Sequence, residues 1–228
     1  MYYIPQLLTN RYIRHGISTI EDKNMSYEWG ERDEVRKHRK NFLTKLRIPV
    51  ERSVFLQVQH GTKIIEGSSS LAGIGYFSSE AAIKADAIVT KEKGLAMVIL
   101  TADCIPAIFY DRANEIVCLA HISRKNSMLS FSQVIVSHLK RTFNTNPQDL
   151  RVFFGPSIKK KSYIIPEFPE GFDLIEENTS QLVLKGVRRE NIVEDSIDTA
   201  SQEEFFSHYR DVRAGEKEGR FATVVMLT

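Results

Sequence analysis

The chain has 228 residues, 42% hydrophobic and 26% charged, and its 31 Lys and Arg against 29 Asp and Glu give a formal net charge of +2. This is the composition of an ordinary globular protein, which excludes disordered and fibrous classes and gives no charge-based reason to expect nucleic acid or a membrane as a partner. Met1 to Asn10 lacks the charged start, long apolar stretch and small-residue cleavage site of a secretory signal, so a cytoplasmic protein is expected. Two cysteines in that setting argue against a disulfide framework.

In chain order, Glu31 to Lys45 has helical periodicity, with Val35, Phe42 and Leu43 near one face and Arg32, Arg36, Lys37, Arg39 and Lys40 mostly on the other, read as a solvated face. Short β-branched or aromatic runs follow at Val54 to Val58, Ala87 to Thr90, Ala96 to Thr101, Ala107 to Tyr110 and Ile116 to Ala120, each bounded by turn residues and read as strands. Glu66 to Glu80, with three serines in a row and three glycines, reads as a loop, and Asp111-Arg112-Ala113-Asn114 as a hairpin connection. Leu95 to Tyr110 is broken by Thr101, Asp103 and Pro106, which makes it a pair of buried strands and not a membrane span. Ser130 to Phe143 and Phe172 to Lys185 are helical, the second stopped by Gly186; Arg151 to Gly155 and Ala222 to Leu227 are strands. Strand groups interleaved with helices predict one α+β domain over residues 1–228.

Three residues in this frame carry chemistry. His60, Cys104 and His121 stand at or near the ends of short apolar runs. Two imidazoles and a thiolate are the ligand set of an open zinc site, with a fourth position left for water or substrate. Zn²⁺ is favoured over copper, because blue-copper chemistry also wants a weak axial ligand. A metal-free reading uses the same residues, with Cys104 as nucleophile and His121 as its base. Asp103 can orient a ligand, act as a general base or cap a helix. Cys118, inside Glu-Ile-Val-Cys-Leu-Ala, reads as a small core residue.

The words around the trio resemble the laccase-domain family, also called YfiH-like or polyphenol oxidase proteins. Arg14-His15-Gly16-Ile17-Ser18 is similar to that family's Arg-x-Gly-Gly-Val-Ser, and Gln57-Val58-Gln59-His60-Gly61-Thr62 to its Gln-Val-His-Gly-Thr. Ala85-Asp86-Ala87-Ile88-Val89-Thr90 and Thr101-Ala102-Asp103-Cys104-Ile105-Pro106 resemble its next two segments. Ala120-His121, Gly155-Pro156-Ser157-Ile158, Phe205 to Asp211 and Gly219-Arg220 continue the series in order.

The resemblance implies a layered α/β/β/α sandwich with mixed β-sheets, and zinc held by His60, Cys104 and His121. It also implies an enzyme that phosphorolyses purine nucleosides (adenosine, inosine or methylthioadenosine) and can deaminate adenosine, with nucleoside and phosphate as small-molecule partners. For those chemistries Arg14 is the expected phosphate ligand, helped by Gly16 and Ser18, and Asp103 the proton shuttle. Arg210 and Arg220 are expected to brace the fold through ion pairs. One departure stands out: the family's His-Ala-Gly-Trp-Arg-Gly reads His121-Ile122-Ser123-Arg124-Lys125-Asn126 here. That loop loses an aromatic and two glycines and places Arg124 as a candidate substrate contact. Two other outcomes are compatible with that change: an amidase that edits peptidoglycan precursors, or a divergent member with a binding role.

Overall fold

The β-branched runs assemble into two mixed sheets. The computed structural model describes residues 1–4 and 11–228; residues 5–10 of the segment read for a secretory signal lie outside it. One sheet has the order β1 (Ile13–Ile17), β11 (Phe221–Leu227), β6 (Ala96–Thr101), β2 (Ser53–Gln57) and β4 (Ile83–Lys84). The other runs β10 (Ile192–Glu194), β9 (Arg151–Phe154), β7 (Ile105–Asp111), β8 (Ile116–Ile122), β5 (Ala87–Thr90) and β3 (Ile64–Glu66).

Both faces of each sheet are covered, which is why the strands read as nearly continuous apolar runs and not as alternating ones. Ile13, Ile17, Val54, Met97, Ile99 and Val225 of the first sheet meet Ile88, Ile108, Val117, Leu119 and Phe153 of the second in a buried layer between them. On the outside of the first sheet, Phe42 and Leu43 of α1 (Arg32–Lys45) pack on Phe55, Val98 and Val224. On the outside of the second, Phe131, Ile135 and Leu139 of α3 (Phe131–Phe143) and Leu174 and Leu182 of α4 (Leu174–Leu184) pack on Ala107, Phe109 and Val152. The result is the expected α/β/β/α layering. No helix among the described residues is long and apolar enough to cross a membrane.

Local chemistry sets the details. β7 and β8 form the expected hairpin, and Asp111 closes its turn by accepting from the Asn114 amide at 3.1 Å and from its side chain at 2.8 Å. Asp173 caps α4 by accepting from the Glu176 amide at 3.0 Å, and Gly186 ends it with a φ of 89°. Arg14-His15-Gly16 is part of strand β1, paired along its length with β11. Gly16 is needed there for packing, since a Cβ at that position would lie 2.8 Å from a Leu46 methyl. The charged face of α1 is also only partly solvated: Arg36, Lys37 and Lys40 are exposed, but Arg39 is buried.

Candidate metal centre

The trio meets at the rim where the two sheets open. His60 follows β2, Cys104 lies in the connection from β6 to β7, and His121 sits near the end of β8. One ligand atom from each residue falls within 4.8 Å of the other two, and the imidazole rings of His60 and His121 meet edge to face with centroids 4.9 Å apart. Among the described residues no other histidine or cysteine joins a cluster of this kind.

Asp86, which sequence reasoning quoted only as part of a motif, organises the centre. Its carboxylate accepts from the backbone amides of His60 and Gly61, each at 2.9 Å, and from that of Gln59 at 3.1 Å. It also holds His121 Nδ1 at 2.9 Å, which leaves Nε2 of that ring to face Cys104. Four bonds to one buried carboxylate therefore fix both histidines. They also hold His60 in the left-handed region, at a φ of 58°, where a residue with a Cβ is uncommon. The available signal was an acid placed directly before an apolar strand, Ala85-Asp86-Ala87. Its partners became visible only when β5 was paired with β8.

Electrostatics follow from this packing. Burial alone would push the Cys104 thiol up, but His121, by charge and hydrogen bond, and His60 outweigh it and bring the pKa down to about 6. Burial alone would push His121 down, yet Cys104 and Asp86 raise it to about 9. The group is a thiolate beside imidazoles oriented by a carboxylate. That donor set fits a metal bound at three protein positions with room for a fourth ligand.

The other expected site residues separate. Arg124 is half-buried at the start of α2 (Arg124–Ser127), three residues after His121, and its charge acts on Tyr163, a residue close enough to feel the Cys104 and Asp103 charges. Burial, ahead of those two acids, raises the Tyr163 pKa against the pull of Arg124. Asp103 precedes Cys104 with a φ of 81°, and both of its oxygens are engaged, one by the Thr199 hydroxyl and one by the Tyr209 amide, each at 2.7 Å. Burial pushes its pKa up to about 6 in spite of those bonds.

Arg14 is not brought to the trio. It pairs with Met226, towards the end of the first sheet opposite Thr101, and donates to the Arg47 carbonyl at 3.0 Å. Ser18 is buried, and its hydroxyl accepts from the Ala222 amide at 2.8 Å, so it closes the β1–β11 pairing. Arg210 and Arg220 make ion pairs with Asp211 and Glu218, as expected of braces.

The altered loop after His121 is a built structure. Ser123 caps α2, accepting from the Asn126 amide, while Asn126 Oδ1 accepts from the Ser123 amide at 2.8 Å. Asn126 also donates to the His121 carbonyl at 2.9 Å. Asn178 and Gln181 of α4 donate to Ser127, each at 2.7 Å, so the turn that carries Arg124 is tied into the helical layer.

Residues 7–171 and 169–228 match a family model described as multi-copper polyphenol oxidoreductase laccase. The chain belongs to that family. It is 27% identical over 202 residues to the purine nucleoside phosphorylase YlmD of Bacillus subtilis, covering 78% of this chain and 73% of that protein. A purine nucleoside phosphorylase of Bacteroides thetaiotaomicron is 23% identical over 173 residues; the match takes in 75% of this chain but only 63% of that relative's length. Among solved structures, YlmD from Geobacillus stearothermophilus superposes with a TM-score of 0.86 at 25% identity, over 95% of this chain and 92% of the other. The Bacillus licheniformis YfiH structure gives 0.87 at 24%, over 95% and 93%. These superpositions share the two-sheet architecture of this family member.

Proposed function

We propose that this chain is a zinc-dependent purine nucleoside phosphorylase of one domain, with His60, Cys104 and His121 as the zinc ligands and adenosine, inosine or methylthioadenosine as substrate. The observation that carries the reading is the His-Cys-His cluster with its Asp86 support. The phosphorylase names of the relatives set the reaction class. A single three-residue cluster among the described residues favours one zinc over a multi-copper array. When bound, zinc supplies Lewis acidity.

Phosphorolysis breaks the bond between ribose C1′ and the purine nitrogen, joins a phosphate oxygen to C1′ and leaves the base to take up a proton. Arg124, on the turn that follows His121, takes the anion-binding role that the sequence had given to Arg14. Asp103, with both oxygens bonded, is a positioning residue: it fixes the turn that presents Cys104. Adenosine deamination at the same centre would instead add water to purine C6 and release the 6-amino group as ammonia, leaving the C1′–nitrogen bond intact.

The test is metal analysis of the full chain beside His60→Ala and Cys104→Ala, followed by adenosine and inosine turnover with and without phosphate. About one zinc per chain, lost in both variants, and free base released only with phosphate are expected. Zinc-loaded protein that leaves both nucleosides intact in phosphate would overturn the assignment.

A further inference from the structure

On the outer side of the first sheet, Arg39 of α1 is 2% exposed, and no carboxylate lies within ion-pair distance of it among the described residues. Its Nε donates to the Met25 carbonyl at 2.8 Å and its Nη1 to the carbonyls of Gly75 and Tyr76, each at 2.9 Å. The guanidinium lies over the rings of Tyr27 and Phe55, 4.2 and 4.3 Å from their centroids. Burial lowers its pKa to about 10, which leaves it charged at neutral pH. Gly75 makes the carbonyl cradle possible: it has a φ of 75°, and a Cβ there would lie 2.5 Å from the Phe55 carbonyl oxygen. A buried cation without a counter-ion is costly, and carbonyls and ring faces offset only part of that cost. Nη2 makes no hydrogen bond among the described residues.

Arg39 forms part of the wall of a cavity of about 540 Å³, within the range of small-molecule sites. Arg32, which has no ion-pair or hydrogen-bond partner among the described residues, lines it too, as does Gln57, whose buried Oε1 has no hydrogen-bond partner. Glu28 and Glu80 share the wall without pairing to either arginine, and Arg220 is already held by Glu218. None of the metal-binding trio lines this cavity.

We propose that the cavity binds a phosphate-bearing small molecule, with Arg39 Nη2 and Arg32 donating to the phosphate oxygens and Gln57 Oε1 accepting from a hydroxyl of the organic part. Guanidinium groups suit this task because they offer several donors in a fixed plane. None of the three metal-binding side chains lines the site, and the proposal does not depend on the phosphorylase assignment.

Calorimetric titration of the full chain with ribose 5-phosphate, inorganic phosphate and ribose tests it, in the wild type, Arg32→Glu, Arg39→Lys and Cys104→Ala. Ribose 5-phosphate should bind and ribose should not. Arg32→Glu, at an exposed helix-start position where the fold tolerates change, should weaken binding at least tenfold, and Cys104→Ala should leave it unchanged. Inorganic phosphate that binds as tightly as the sugar phosphate would support the site and name the free ion as its occupant. Absence of binding by both phosphate probes, equal binding by Arg32→Glu, or loss of binding in Cys104→Ala would overturn it.

Discussion

The rim and the interior of this molecule bury the same side-chain types and send them to opposite charge states. Cys104 and His121 at the rim are pulled towards thiolate and imidazolium. Cys118, in the middle of β8, has only hydrocarbon around it, and burial pushes its thiol up. His15, in β1, is likewise driven down to about 4 by burial, with an amide from Ile4 donating to its Nε2 at 2.9 Å and no acid beside it among the described residues. Burial acts in the same direction on both members of each pair. A charged neighbour decides the outcome, and at the rim the organising one is Asp86.

The strongest way to break that contrast is to remove the carboxylate. Asp86→Ala strands three backbone amides and the His121 ring at once. It should cost about 3–5 kcal/mol of stability by analogy with other buried charged partners. Asp86→Asn keeps the shape but loses the charge, and should lower zinc affinity about 10–100-fold with the fold preserved. Competition with a chelator, alongside far-UV circular dichroism, reads both quantities; an Asn variant that holds zinc like the wild type would show that Asp86 is only a packing group.

His15 sharpens the contrast from the neutral side. Its folded pKa of about 4 lies below the ordinary histidine value of 6.5, so the unfolded chain binds the proton more readily between those limits. Its contribution to stability is complete above the unfolded value and is lost as pH falls towards 4, on the order of 3 kcal/mol in all. Urea unfolding at pH 7 and pH 4.5 should show a smaller acid loss for His15→Gln than for the wild type. Identical pH dependence in the two proteins would remove His15 from this account.

What the sequence disclosed, and what it withheld, divides along the same physical line. Strands β5 to β8 and helices α1, α3 and α4 were legible because each carries its own apolar pattern. The trio was legible because Cys and His are rare and chemically loaded, and because the surrounding words resemble one family. Asp86 was not, since its meaning depends on β5 lying beside β8 and under the His60 turn. Arg14 and Arg39 were exchanged in importance for a similar reason. Strand register sends Arg14 away from Thr101, while the rotation of α1 turns Arg39 inward from an otherwise solvated stripe. Residue type alone cannot give either direction. The α2 turn escaped periodicity because four residues are too few for one, and its stability comes from the Ser123–Asn126 capping box.

That turn supplies a smaller perturbation. Asn126→Ala removes the bond to the His121 carbonyl and half of the capping box, and should cost about 1–2 kcal/mol. Because Arg124 begins the same turn, the expected kinetic signature is a raised KM for phosphate with zinc content unchanged. Loss of zinc in this variant would instead make the turn part of the metal's own support.

The smallest effect separates the two cysteines directly. Cys118→Ala removes one sulfur from a packed core and should lower stability by about 1 kcal/mol, leaving zinc content and turnover as they were. Cys104→Ala should do the reverse, because that side chain is half-buried at the rim: little change in the stability of the metal-free chain, and loss of the metal. A thiol reagent applied to metal-free native protein should therefore modify Cys104 and spare Cys118 until the chain unfolds. Two rapidly reacting thiols would mean that the β7–β8 layer opens far more readily than its packing implies, and the proposed separation of reactive rim from inert interior would fail.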